Sequence, residues 1–203
     1  FCYVEIPRKN GKSSLSAAIA LYMLTGLGEQ GAEIISAAGD SAQANIVFDV
    51  ASGMVTQSKT LNKACRIFRS KITFRNSFYK SISSEAKTKH GFNCSGVVFD
   101  ELHTQPNREL FDVLTTSVGS REQPLIISLT TAGHDTASIC YEQHVYAKRV
   151  LSGEIDDPTY LPVIYAADPE DPWDDEETWK KANPGYGTIC RKDYFIDQRN
   201  KAR

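Results

Sequence analysis

The 203-residue sequence predicts an α/β domain: a mainly parallel central sheet flanked by helices, with an inserted antiparallel β-ribbon. Three observations predict it. Short apolar β-type runs alternate with longer helix-type runs, the pattern of a parallel sheet with crossover helices. A Gly-Lys-Ser tripeptide, Gly11 to Ser13, follows the first apolar run and opens a helix-type run. A later apolar run, "GVVFDELH", ends in two adjacent acids, Asp100 and Glu101.

Taken in order, "CYVEI" is the first strand. After the loop "PRKNGKS", the run "SSLSAAIALYML" has helical spacing, with Leu15, Ala18, Ile19, Tyr22 and Met23 on one face, and the glycines of "TGLGEQG" end it. "AEIISAAG" reads as a second buried strand. In "DSAQANIVFDVASGMVTQS", Asp40 or Ser41 can cap a helix whose apolar stripe is Ala44, Val47, Phe48, Ala51 and Val55. The middle stretch, "ACRIFRSKITFRNSFYKSIS", alternates apolar with basic or polar residues in short pieces, as antiparallel strands with one wet face do. The parallel pattern resumes at "GVVFDEL" and "PLIISLTTAG", with "NRELFDVLTTSV" as the helix between them. "TASICYEQHVYAKRVLSGE" is a further helix, stopped by Gly153, and "TYLPVIYAA" a further strand.

After Ala167 the composition changes. Residues 1–167 are expected to form the core, and 168–203 an acidic, proline-rich segment and linker beginning "DPEDPWDDEETWKKANPGYG". In its short helix, Asp174 to Glu177 lie near the N-terminus and Lys180 and Lys181 near the C-terminus, matching the helix dipole. The chain starts at Phe1 inside an apolar run, so it reads as a piece of a longer protein.

Composition narrows the function class. No run approaches the roughly 18 apolar residues of a membrane span. The five cysteines form no C-x-x-C pair, which argues against a disulfide framework or zinc site and for a reducing compartment. The histidines His90, His103, His134 and His144 have no metal-ligand spacing and read as ordinary surface or core residues. Net charge is only −2, but residues 59–89 carry nine Lys and Arg against one acid, while 154–177 carry ten acids and no base. Such asymmetry points to a polyanion partner for the basic part.

The chemistry lies in the loop and the acid pair. Gly-Lys-Ser alone is weak evidence, since average residue frequencies produce one in a chain of this length on the order of one time in ten. Its position decides the matter: between a strand and an amphipathic helix, backbone N–H groups and the helix N-terminus cradle phosphate oxygens. Pro7, Arg8, Lys9, Asn10, Gly11, Lys12, Ser13 and Ser14 would then form an ATP-binding loop. Lys12 would neutralise the β- and γ-phosphates and the Ser13 hydroxyl would ligate Mg²⁺. The loop departs from G-x-x-x-x-G-K-[ST] at its first position, where Ile6 stands, and Pro7 with its restricted φ is expected to shape the turn instead. Asp100 at a strand end is the second ligand of the metal shell, and Glu101, facing another way, can polarise the attacking water. Thr130 and Thr131 end a strand next to the acid pair and would bring hydroxyls near the γ-phosphate. Together these features predict a P-loop NTPase of the RecA/ASCE-like kind.

"PRKNGKS", "GVVFDELH", "SLTTAG" with "YEQHVYAKRVLSG", and "DPEDPWDDEETWKKANPGYG" jointly resemble the ATPase domain of the large terminase subunit of tailed bacteriophages, in the branch found with HK97-like phages. The resemblance covers nearly the whole chain. It implies an ATPase that drives double-stranded DNA into a procapsid, working as a homo-oligomeric ring with a portal protein and a small terminase subunit in the cytoplasm of the bacterial host. Terminases carry a deviant loop with an internal arginine, so Arg8 would contact the γ-phosphate or relay its loss. Thr130 and Thr131 would lie in the motif that couples hydrolysis to movement.

Some terminases also supply an arginine finger in trans from just before the acid pair. Here "SEAKTKHGFN" offers Lys87 and Lys89 but no Arg, and lysine lacks the planar fork that spans two phosphate oxygens. These two lysines are candidates for a trans-acting or DNA-contacting role. The resemblance also implies an adenine-reading segment before Phe1 and a nuclease domain after Arg203. Two other readings share the ATP-binding elements: a helicase-like nucleic-acid ATPase, and a nucleotide-dependent switch subunit with poor hydrolysis.

Overall fold

The structure, a computed structural model, describes residues 1–85 and 91–202. Its strands are β1 (Cys2–Glu5), β2 (Glu33–Ala38), β3 (Cys65–Phe68), β4 (Lys71–Phe74), β5 (Ser77–Ser83), β6 (Gly96–Asp100), β7 (Leu125–Thr130) and β8 (Leu161–Ile164). Its helices are α1 (Lys12–Thr25), α2 (Ser41–Gln57), α3 (Lys59–Ala64), α4 (Glu109–Thr116), α5 (Ile139–Leu151), α6 (Glu176–Ala182) and α7 (Lys192–Ala202). The described strands join in one sheet of order β3-β4-β5-β2-β6-β7-β1-β8. Only the β3–β4 and β4–β5 pairs are antiparallel. The ribbon expected from the alternating middle stretch is therefore an edge of the main sheet, attached through β5, which runs parallel beside β2.

Helices cover both faces of the sheet, so the central strands are apolar on both sides. Val97 and Phe99 of β6 pack with Leu110, Phe111 and Leu114 of α4 and Ile139 and Ala147 of α5. Val98, one residue out of phase, packs on the opposite face with Leu21 and Met23 of α1 and Val47 and Phe48 of α2.

The stripe predicted for α2 is the buried one, and Asp40 caps that helix by accepting from the Gln43 amide at 2.9 Å. In α1 the buried face is Ser16, Ala17, Ala20, Leu21, Met23 and Leu24, whereas of the face given by periodicity Leu15, Ala18 and Tyr22 are exposed, Ile19 is half-buried and only Met23 is buried. The run is apolar on most sides, so periodicity alone does not fix its rotation. The loop fixes it by turning Ser13 and Ser16 toward Asp100, while Ala17 and Ala20 are small enough to let the helix close on the sheet. No helix of the described residues is long and apolar enough to cross a membrane.

Candidate active site

The ends of β1, β2, β6 and β7 open on one edge of the sheet, the side on which parallel α/β folds bind ligands. β7 lies between β1 and β6, hydrogen-bonded to both, so Thr130 sits opposite Glu5, and Leu129 opposite Asp100. The loops there enclose a cavity of about 530 Å³, lined by Arg8, Lys9, Gly11, Lys12, Ser13 and Ser14 from the first loop and by Glu101 and His103 after β6. Gln43 and Thr104 complete the lining.

The loop shows why a first glycine is unnecessary. Ile6 is buried and still in the sheet, its amide donating to the Thr130 carbonyl at 3.0 Å. The left-handed residues come later, at Lys9 (φ 70°) and Gly11 (φ 80°). Gly11 is the N-cap of α1 and supplies no side chain, so the first amides of the helix are left to a ligand. Pro7 is half-buried before the turn, and Arg8 and Ser14 are exposed.

Lys12 is buried, its Nζ donating to the carbonyls of Ile6 at 3.2 Å and Pro7 at 3.4 Å and lying 3.4 Å from Glu101 Oε1. Asp100 is also buried, accepting from Ser16 Oγ at 3.2 Å and Ser13 Oγ at 3.5 Å. Burial and the neighbouring Glu101 push the Asp100 carboxyl up to about 6, although the two hydroxyls and Lys12 pull it back. A buried carboxylate and a serine hydroxyl form a hard oxygen donor set, the kind that suits Mg²⁺ sharing its shell with phosphates.

The next carboxylate faces elsewhere. Glu101 has a left-handed backbone (φ 52°), which sets its side chain apart from that of Asp100. Its Oε2 accepts from the Thr131 amide at 3.3 Å and the Thr131 hydroxyl at 3.4 Å, and lies 3.3 Å from His103 Nδ1. Thr130 is fully buried, and its hydroxyl donates to the Thr131 carbonyl at 2.8 Å. Of the two threonines, Thr131 is thus the one that touches the acid. Burial, reinforced by the positive charges of Arg8 and Lys12, lowers the His103 pKa despite the opposing pull of Glu101. Lys87 and Lys89 lie outside the described residues.

The family model for the ATPase domain of the terminase large subunit matches residues 1–149. The chain belongs to the terminase large subunit ATPase family. The terminase large subunit of Enterobacteria phage HK97 is 32% identical over 98% of this chain and 40% of its own length. Its crystal structure superposes with a TM-score of 0.88 at 30% identity, over 99% of this chain and 42% of that one. Protein YmfN of Escherichia coli (strain K12) is 30% identical over 52% of this chain and 23% of its own length. The ATPase domain of the Thermus phage P74-26 large terminase shares the fold at 18% identity, with a TM-score of 0.56 over 70% of this chain and 62% of that one. The chain thus spans less than half the length of the HK97 and YmfN proteins.

One loop residue of this terminase faces away from the cavity. Asn10 is buried, and its amide donates to Asn183 Oδ1 at 2.9 Å while its Oδ1 accepts from the Gly185 amide at 2.9 Å. It also donates to the carbonyls of Pro7 and Arg8, each at 3.2 Å. The segment after α6 therefore packs on the back of the loop that leads into α1. Asn10→Ala is expected to lower stability by about 1–3 kcal/mol, the cost of leaving buried polar partners unpaired. An unchanged denaturant midpoint would contradict this role.

His103, Gln43 and Ser16 belong to the site but are not marked by the sequence reading. Ser16 stands one helical turn after Ser13 on the side facing Asp100, a spacing visible in the sequence. His103 stands in "DELH", two residues after Glu101, yet only the short turn Leu102–Thr104 brings it back against β7. Gln43 has no such signal. It reaches the cavity because α2 starts where Gly39 passes close to the Thr104 carbonyl, an approach a side chain at 39 would block.

Proposed function

We propose that this terminase segment is the ATP-hydrolysing motor domain that drives double-stranded DNA into a procapsid. The observation that carries this reading is the setting of Glu101. Its carboxylate is held between the loop lysine and Thr131 at the mouth of a cavity walled by a phosphate-binding loop. ATP would place its phosphates against the amides of Gly11 to Ser14, where Lys12 balances their charge. Phosphate oxygens entering the loop would compete for the ammonium that Glu101 now contacts. Glu101 then takes a proton from the water that attacks the γ-phosphoryl group, and ADP carries away the electron pair of the broken P–O bond. Ser13 and Asp100 would hold Mg²⁺, which when bound neutralises charge on the β- and γ-phosphate oxygens.

Arg8 lines the cavity and fits the loop arginine's part toward the γ-phosphate. Thr131, bonded to Glu101, and Thr130, which ends β7, fit the part of coupling hydrolysis to movement. A homo-oligomeric ring docked on a portal protein, with a small terminase subunit, in the host cytoplasm is the matching assembly.

The DNA surface is proposed on the basic edge of the sheet. Lys59, Lys63, Arg66 and Arg69 are exposed around α3 and β3, whereas Lys71 is half-buried with its ammonium 4.3 Å from the Phe78 ring centroid. Replacing Lys59, Lys63 and Arg66 together by alanine is expected to weaken binding to linear duplex DNA irrespective of sequence. The slope of log K against log salt should shrink by up to about 2.7, roughly 0.9 for each phosphate that is no longer neutralised. An unchanged slope would take DNA off this edge.

A further inference from the structure

We propose that His103 is a positioning residue that acts through Thr131 to hold the Glu101 carboxylate for its work as base and ties it to the end of β7. The inference rests on the ATPase reading above. His103 stands on the turn Leu102–Thr104, which fully buried Leu102 pins to the core. Its backbone amide donates to Thr130 Oγ1 at 3.3 Å, and its ring Nδ1 lies 3.1 Å from that same oxygen. Nδ1 is also 3.4 Å from Thr131 Oγ1 and 3.3 Å from Glu101 Oε2.

Counting protons assigns the tautomer. The Thr130 hydroxyl has one proton and gives it to the Thr131 carbonyl, and the Thr131 hydroxyl gives its own to Glu101 Oε2. Both threonine oxygens can then only accept from the ring, and so can the carboxylate. Nδ1 therefore carries the hydrogen and donates to the two threonine oxygens, of which Thr131 in turn bonds the Glu101 carboxylate.

Such a donor is needed there. Glu101 sits on a left-handed backbone that an L residue adopts only when its surroundings impose it. Lys12, its partner on Oε1, is the group that phosphate oxygens would draw away. On Oε2 the carboxylate is held by the Thr131 amide and hydroxyl at 3.3 and 3.4 Å, and the ring, bonded to both threonine hydroxyls, fixes the Thr131 side chain that makes one of those bonds.

The test uses the full-length protein that contains this segment, with three substitutions at position 103. In asparagine the amide nitrogen can occupy the place of Nδ1; in glutamine it reaches instead toward the place of Nε2. His103→Ala is expected to lower kcat for ATP about 10- to 100-fold, the scale of a misplaced reacting group, with Kd for Mg²⁺-ATP changed less than about threefold. His103→Asn should recover kcat to within about fivefold of wild type, and His103→Gln should stay with the alanine variant. Wild-type kcat in His103→Ala would overturn the proposal. So would rescue by Gln but not Asn, which would assign the work to Nε2. Equal damage in all three with loss of nucleotide binding would make the residue a packing element and also overturn it. Glu101→Gln is measured alongside: undiminished hydrolysis there would sink the ATPase assignment itself, whereas an inactive Glu101→Gln with an unaffected His103→Ala would sink only this inference.

Discussion

Glu101→Gln is expected to bind ATP as wild type does and to lose at least about two orders of magnitude in turnover, the scale of general acid–base catalysis. The substitution keeps the size of the side chain and leaves the loop before α1, Ser13 and Asp100 untouched, so the groups that would hold nucleotide remain. It removes the charge that lets Oε1 and Oε2 accept a proton, and it places an NH₂ where one oxygen faced Lys12 or the Thr131 donors. Binding and turnover should therefore separate. Equilibrium binding of a labelled nucleotide beside steady-state hydrolysis reads both, and wild-type turnover in the variant would remove Glu101 from the chemistry.

Lys12→Ala is expected to act on binding itself. The ammonium is buried and held in one place by the Ile6 and Pro7 carbonyls and by Glu101. Loss of a hydrogen bond to a charged phosphate is worth about 1.5–3 kcal/mol, which corresponds to roughly 10- to 150-fold weaker ATP binding. The variant also leaves Glu101 Oε1 without its cation. Undiminished affinity in a titration with Mg²⁺-ATP would remove the phosphate-loop reading.

Much of this fold is legible in the chain, for reasons that can be named. The α2 stripe reads correctly because apolar residues occupy one side of that helix, and the alternating run from Cys65 to Ser83 reads as an antiparallel ribbon because one of its faces is wet. The orientation of α1 is not legible, because alanines and leucines surround it and the loop, not the periodicity, sets its rotation. Short α3 and polar α7 are too brief or too uniformly hydrophilic for a periodic signal.

The site divides along the same line. Lys12, Ser13, Asp100 and Glu101 are marked by spacing, since a loop between strand and helix and an acid pair at a strand end are local patterns. The hold on Glu101 is not local: His103 and Thr131 meet only because β7 is inserted between β1 and β6. Nor is the seat of Asn10, whose partner Asn183 lies 173 residues away in the sequence. The departure at Ile6 is explained only once β1 is seen to extend its pairing to that residue, moving the left-handed turn to Lys9.

The most direct measurement is Mg²⁺-dependent ATP hydrolysis by the full-length protein, with and without linear duplex DNA, beside its Glu101→Gln variant. Hydrolysis that DNA stimulates, and that the variant loses while still binding ATP, is the expected result. Hydrolysis no faster than the variant's, by a folded protein that binds ATP tightly in the presence of DNA, would contradict the assignment of Glu101 and the motor reading built on it.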